Sequence, residues 1–108
     1  MTSSTLKKNI NVSENDIINF CKKWNVVEFG IFGSALRGDF TMSSDVDILV
    51  QFAPNMTPGL IKLGGMVREL EQIFSRKVDI LTRKSVESCP NIVRKSSILS
   101  SVEVLYAA

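Results

Sequence analysis

Three aspartates are the residues in this sequence best suited to chemistry, and two of them stand almost side by side. Asp45 and Asp47 are separated by a single valine, and Asp79 follows much later. Side chains at positions i and i+2 of a β-strand project from the same face, so a strand here would hold the first two carboxylates close together. Carboxylates about 5 Å apart repel by on the order of 3 kcal/mol at an effective dielectric of about 20, and a bound cation would remove that cost. Because oxygen ligands without His or Cys favour Mg²⁺ or Mn²⁺ over zinc, the pair predicts a divalent-cation site.

The third acid, Asp79, lies in a second strand-like stretch, Lys77–Leu81, where an apolar side chain would be expected. If that strand lies beside the one containing Asp45 and Asp47, the three acids form a triad able to hold two metal ions. Asp79 would then also be placed to help deprotonate an attacking hydroxyl. The alternative is a strand-end aspartate that pairs with a nearby lysine or arginine.

A glycine-serine pair, Gly33-Ser34, ends the first strand-like stretch. Glycine lets the backbone approach phosphate oxygens closely, the N–H groups at a helix start point outward, and a serine hydroxyl adds a hydrogen bond. The pair therefore suits a phosphate cradle, although Gly-Ser is also a common turn. Arg37 either contacts the phosphate or fixes the loop by pairing with Asp39 or Glu28.

Alternating helices and strands must position these residues. The patterns predict helices from Ser13 to near Asn25, over Pro58–Phe74 and around Asn91–Leu99, and strands over Val26–Phe32, Asp45–Phe52 and Arg76–Leu81. Ser13 is the predicted helix cap, 35–37 a short helical turn, and Val102–Tyr106 an apolar tail. One face of the second strand is apolar, and the other begins with the two acids. This order predicts an α+β fold, with a small mixed β-sheet packed with helices. We expect residues 1–12 to be a flexible or helical lead-in and 13–108 a single domain.

Composition limits the possible functions. The 108 residues are 44% hydrophobic, which is enough for one core, and histidine is absent, which excludes histidine-based catalysis and His-ligated zinc. The formal charge of +2 is too balanced for nucleic-acid binding by bulk electrostatics. The basic residues of the last third would face a polyphosphate, an acidic partner or only solvent; they are Arg76, Lys77, Arg83, Lys84, Arg94 and Lys95.

Other sequence features predict a cytoplasmic protein. No apolar run approaches the roughly 20 residues that span a bilayer, and Met1–Asn11 lacks the apolar segment of a secretory signal. Cys21 and Cys89 belong to no disulfide or zinc pattern, and we expect both to be ordinary small apolar residues.

The run from Gly33 to Val50 resembles the signature of the polymerase-beta-like nucleotidyltransferase superfamily, specifically the small prokaryotic MNT group. The Gly-Ser at 33–34, the Arg-Gly at 37–38 and the Ser-Asp-Val-Asp at 44–47 match it in order and spacing. The segment Lys77–Thr82 is similar to the strand that carries the group's third carboxylate, so the resemblance covers about residues 13–106. Ala35 departs from the pattern, since the group often has an aromatic residue there.

The resemblance implies more than the residues alone. It implies the polymerase-beta-like nucleotidyltransferase fold, with Gly33 and Ser34 holding the triphosphate of ATP and with Asp45, Asp47 and Asp79 as catalytic ligands of two Mg²⁺ ions. Members of the group are typically encoded beside a HEPN-domain ribonuclease toxin, and as antitoxins they are thought to adenylylate a tyrosine of that partner. We therefore expect a protein adenylyltransferase that neutralises a HEPN toxin.

Two alternatives remain open at the sequence level. An antitoxin with this fold could silence its partner by binding alone, with the tail Val102–Tyr106 as contact surface. A transferase could instead act on RNA or on a small-molecule hydroxyl. The sequence has no aromatic stacking run, which argues against direct nucleic-acid binding.

Overall fold

The computed structural model describes residues 12–33 and 44–108, so of the predicted lead-in it describes Val12 alone. In chain order the elements are α1 (Glu14–Trp24), β1 (Val26–Phe32), β2 (Val46–Phe52), α2 (Leu60–Phe74), β3 (Val78–Thr82), α3 (Arg83–Glu87), α4 (Ile92–Ser101) and β4 (Glu103–Ala107). The strands form a sheet in the order β3-β2-β1-β4. Strands β2 and β3 are parallel, whereas β1 is antiparallel to both of its neighbours. The predicted small mixed sheet is confirmed.

Helix α1 has the predicted position but not the predicted cap. Ser13 occupies the N-cap position, yet its side chain makes no capping hydrogen bond. The helix ends at Asn25, which adopts the left-handed conformation and donates its backbone N–H to the carbonyl of Cys21. Asparagine tolerates that conformation better than most residues, so the chain can turn directly into β1.

Apolar side chains at alternate positions of β2 form the face of the sheet that packs in the main core, as predicted. Val46, Ile48 and Val50 are fully buried, and they pack in one cluster with residues of α1 and α2 such as Phe20 and Met66. The opposite face is covered by a smaller cluster, which consists of Phe32, Leu49, Val86 and Ile98. Helices α3 and α4 therefore lie on the face of β2 that carries the acids.

The apolar tail is a strand, which the sequence analysis did not predict. β4 pairs with β1 in antiparallel register, and the N–H of Ala108 donates to the carbonyl of Val27 at 2.8 Å. A Cβ atom on Gly30 would lie 2.7 Å from Cγ2 of Val102 and 3.1 Å from the carbonyl oxygen of Glu103, so only glycine lets the chain approach here. Leu105 and Tyr106 pack against the main core, so much of the tail's apolar surface is used inside the fold.

Helix α3 is a second element absent from the prediction. Its N-cap is Thr82, whose hydroxyl accepts a hydrogen bond from the N–H of Ser85 at 3.0 Å. A five-residue helix shows too little periodicity to be recognised in sequence. Helix α2 runs unbroken through Gly64-Gly65 and begins at Leu60, two residues later than predicted.

Both cysteines are free thiols. Cys21 is buried in the main core, and this burial raises the pKa of its thiol to about 12.

In the described part of the chain, no helix combines the length and the apolar character needed to cross a membrane.

Candidate active site

The parallel pairing of β2 and β3 brings two of the predicted acids together. Asp47 is the register partner of Asp79 across the two strands. Neighbouring strands lie about 4.8 Å apart, and residues in register project to the same face, so the two side chains are adjacent. Both carboxylates line a cavity of about 460 Å³. The condition on which the sequence argument depended, that the third strand lies beside the second, is met.

Gly33 lies against Asp47 at the end of β1. Its φ of +77° is in the left-handed region, and a Cβ atom on it would lie 2.3 Å from Oδ2 of Asp47. Glycine is therefore required here both by backbone conformation and by space. Gly33 lines the same cavity as the two acids, so the end of β1 reaches that cavity.

The first acid of the pair, Asp45, directly precedes β2 and is exposed. The start of β2 is held to β3 by the N–H of Val46, which donates to the carbonyl of Lys77 at 3.0 Å, and by Arg76, which donates to the carbonyl of Ser44 at 3.3 Å. Within residues 12–33 and 44–108, no three acidic, histidine or cysteine side chains are arranged to hold a metal ion. Asp45 as a third metal ligand stays a prediction.

The alternative for Asp79, a structural ion pair, finds no support in the described residues. Arg83 pairs instead with Glu28 on β1, donating from Nε to Oε1 at 2.8 Å. In the ranges that the structure describes, no hydrogen bond or ion pair involves the side chain of Asp79. The same pairing occupies Glu28, one of the partners considered for Arg37. Arg37 itself and Ser34 lie outside the described residues.

Helix α4 supplies a wall of the cavity that the sequence analysis did not assign to the site. Arg94, Ser97 and Ser101 line the cavity together with the buried Ile98. Their spacing of three and four residues places them on one face of the helix. The sequence places Arg94 only in a basic region, because nothing in a single sequence shows that α4 folds back over β2.

The cavity suits magnesium shared with a nucleotide. Asp47 and Asp79 offer oxygen donors, and the missing side chain of Gly33 leaves room for the carboxylate of Asp47 beside the end of β1. Magnesium is usually held by one or two carboxylates together with substrate phosphates, not by a closed cage of protein ligands. Two carboxylates on adjacent strands therefore match the protein's share of such a site.

Comparison with known proteins identifies the family. The model of the nucleotidyltransferase domain family matches residues 15–103. The chain belongs to this family. The family assignment agrees with the resemblance found in the run from Gly33 to Val50, and it covers most of the chain.

Relatives of this nucleotidyltransferase domain include protein adenylyltransferase MntA of Thermococcus cleftensis. The two are 37% identical over 67 residues, which is 62% of this chain and 66% of that protein. The chain thus spans slightly less than two thirds of that relative's length.

Solved structures share the fold of this nucleotidyltransferase domain. A toxin-antitoxin crystal structure with AMP-PNP contains a chain that aligns with a TM-score of 0.68 at 21% identity, over 90% of this chain and 75% of that one. The structure of a tri-AMPylated HEPN toxin of Shewanella oneidensis in complex with an MNT antitoxin also contains a chain that aligns with this one. The TM-score is 0.60 at 20% identity, over 95% of this chain and 73% of that one. Together with the family match, these structures confirm the predicted minimal nucleotidyltransferase fold.

Proposed function

We propose that this nucleotidyltransferase is an antitoxin that transfers AMP from ATP to a tyrosine of a HEPN-domain ribonuclease toxin and thereby neutralises it. The observation that carries the proposal is the register pairing of Asp47 with Asp79 in a cavity that Gly33 also lines. A relative named protein adenylyltransferase and an AMPylated HEPN toxin bound to an MNT antitoxin support the choice of AMP and of the partner. We place this reaction in the cytoplasm.

In this proposal the tyrosine oxygen forms a bond to the α phosphorus, the bond to the bridging oxygen breaks, and pyrophosphate leaves. The carboxylate of Asp79, exposed and adjacent to Asp47, accepts the hydroxyl proton. Gly33 and Ser34 hold the triphosphate. Asp45, Asp47 and Asp79 would hold two magnesium ions, whose charge would stabilise the phosphates and lower the pKa of the hydroxyl.

The acceptor in this proposal is a folded partner. Asp79 and Arg94 are exposed, so the cavity between β3 and α4 is accessible from outside the domain. A side chain presented by another protein can reach it without an opening movement of the described elements. This accessibility supports a protein acceptor and gives the partner's tyrosine a route to Asp79.

The test is transfer of label to the partner. The purified chain is incubated with a HEPN-domain protein encoded beside it, labelled ATP and Mg²⁺, and the partner is analysed by mass spectrometry. We expect a mass increase of one AMP per modified tyrosine, and its loss in the double variant Asp45→Asn, Asp47→Asn. Asp16→Asn, an exposed acid in the first turn of α1, is the matched control and should retain transfer.

Each alternative gives a different result. A partner that is silenced and bound but never labelled would show an antitoxin that acts by binding alone. Label on RNA or on a small molecule, with none on the partner, would show a transferase of another class. Transfer that persists in the double variant would contradict the role of the acids.

A further inference from the structure

The cavity between β3 and α4 contains a cation that the sequence motifs do not explain. Asp47, Asp79 and Arg94 are the charged residues that line it in the described part of the chain. The guanidinium of Arg94 makes no hydrogen bond or ion pair with any residue in 12–33 or 44–108. Although it shares a cavity with two carboxylates, it is bound to neither, so its charge remains available to a ligand.

Arg94 projects from a fixed element. Asn91 caps α4 by accepting a hydrogen bond from the N–H of Arg94 at 3.0 Å, and Ile98 anchors the helix in the smaller core cluster with Leu49 of β2. Since the backbone that carries the guanidinium is held at both points, only the side chain of Arg94 needs to be ordered when a ligand binds.

A serine one turn further along α4 adds a hydroxyl to the same wall. Ser97 lines the cavity, and its hydroxyl makes no hydrogen bond to the residues that the structure describes. Ser101 differs, because its hydroxyl already donates to the carbonyl of Ser97 at 2.6 Å. Among the residues of α4 that line this cavity, Arg94 and Ser97 therefore carry the polar groups that are free to contact a ligand.

The chemistry of these groups points to phosphate. A guanidinium binds phosphate oxygens in a bidentate manner, and hydroxyls donate to the same oxygens. A nucleoside triphosphate would bring several negative charges next to Asp47 and Asp79, so a cation on the facing wall offsets part of their repulsion. A neutral nucleobase would not add this repulsion, so the guanidinium offsets charge only where phosphates bind.

We propose that Arg94, assisted by Ser97, binds the terminal phosphates of the nucleotide donor and so selects a triphosphate over a monophosphate. This inference rests on the proposed function, because it assumes that the donor lies in the cavity lined by Asp47 and Asp79. It gives α4 a role in binding the donor and adds a second phosphate contact to that of Gly33 and Ser34.

The test compares two nucleotides without any acceptor. Affinities for α,β-methylene ATP and for AMP are measured by calorimetry in buffer with Mg²⁺, with wild type, Arg94→Ala, Arg94→Lys and Ser97→Ala. We expect Arg94→Ala to weaken binding of the triphosphate analogue about tenfold or more and to leave AMP binding unchanged. Arg94→Lys should recover part of the loss, since a lysine keeps the charge but not the bidentate geometry. Arg68→Ala, an exposed arginine of α2 outside this cavity, is the matched control.

The outcomes separate the two proposals. Equal loss of analogue and AMP binding in Arg94→Ala, or no loss of either, would overturn the role of Arg94 while the proposed function survived. Wild-type protein that binds no triphosphate would instead refute the proposed function itself. Thermal melts of all variants show whether each is folded.

Discussion

At the scale of single residues, the site depends on a close contact between backbone and carboxylate. The Cα of Gly33 lies so near Oδ2 of Asp47 that no Cβ fits between them, and the backbone there has a positive φ. The missing side chain of Gly33 therefore gives the carboxylate of Asp47 the room to adopt its position.

Gly33→Ala should displace the Asp47 carboxylate. We expect the affinity for Mg²⁺ with a triphosphate analogue to fall about tenfold or more, and the free energy of unfolding to fall by about 1 kcal/mol because alanine is strained at positive φ. Calorimetry and urea denaturation measure the two effects.

The control for this substitution is Gly64→Ala in α2. A Cβ there would meet nothing within 4 Å, and alanine is a better helix former than glycine. We expect it to stabilise the fold by roughly 0.5–1 kcal/mol and to leave nucleotide affinity unchanged. Unchanged nucleotide affinity in Gly33→Ala would show that the contact with Asp47 has no role in binding.

Residue types revealed part of the site but not all of it. Asp47, Asp79 and Gly33 could be selected from sequence because acids and glycines stand out within apolar strands. Arg94 and Ser97 could not, since an arginine and a serine on an amphipathic helix are typical of any solvated surface. Their role follows from the long-range packing of Ile98 on Leu49, which a local pattern does not contain.

At the scale of elements, helix α3 links the end of β3 to β1 and to the smaller core cluster. It follows β3 directly, and its first residue, Arg83, pairs with Glu28 of β1 while Val86 enters the smaller core cluster. The pair is about one-quarter exposed on each side, so it is better shielded from solvent than the surface pair Lys23–Glu69, where the lysine is 62% exposed.

A double-mutant cycle on Arg83→Met and Glu28→Gln should give a coupling energy of about 1 kcal/mol. The same cycle on Lys23→Met and Glu69→Gln should give no more than a few tenths of a kcal/mol from the ion pair, because exposed pairs are weak. Urea denaturation measures both cycles. Equal coupling energies in the two cycles would show that the partial burial of the Arg83–Glu28 pair does not strengthen its interaction.

Most elements could be predicted from local pattern; helix α3 was missed because it is short, and β4 was missed for a different reason. β1 and the end of α1 lie where the sequence indicated, because β-branched runs and a left-handed asparagine are local signals. β4 was missed because its strand character depends on pairing with β1, far away in the chain. Its partner position, Gly30, is the residue whose missing side chain allows that pairing.

At the scale of the whole molecule, stability and chemistry lie on opposite faces of the sheet. Among the described residues, the face packed by α1 and α2 holds the larger core, whereas the face under α3 and α4 holds the smaller cluster and the acid-lined cavity. Filling that second face completely with apolar side chains would remove the space in which a nucleotide can bind. The second face is therefore less fully packed than the first, and the space that this leaves can hold a ligand.

In the absence of ligand, the adjacent acids should destabilise the domain. Asp47 and Asp79 lie side by side, and Asp79 is exposed, so their repulsion is screened to roughly 1 kcal/mol. Asp79→Asn should raise the unfolding temperature measured without metal or nucleotide by several degrees, since 1 kcal/mol corresponds to about 4–8 °C in a domain of this size. Asp16→Asn should lower it slightly, because Asp16 lies in the first turn of α1 and complements the helix dipole.

Ligand should make the unfolding temperature of wild type higher than that of Asp79→Asn, the reverse of the order expected without ligand. A ligand at 100 times its dissociation constant stabilises the folded state by about 2.7 kcal/mol, so Mg²⁺ with a triphosphate analogue should raise the unfolding temperature of wild type well above that of the variant. Scanning calorimetry of wild type and Asp79→Asn, each with and without these ligands, gives the four unfolding temperatures. A variant that is less stable than wild type without ligand would show that Asp79 supports the fold, and the division of the sheet into a stabilising face and a functional face would be wrong.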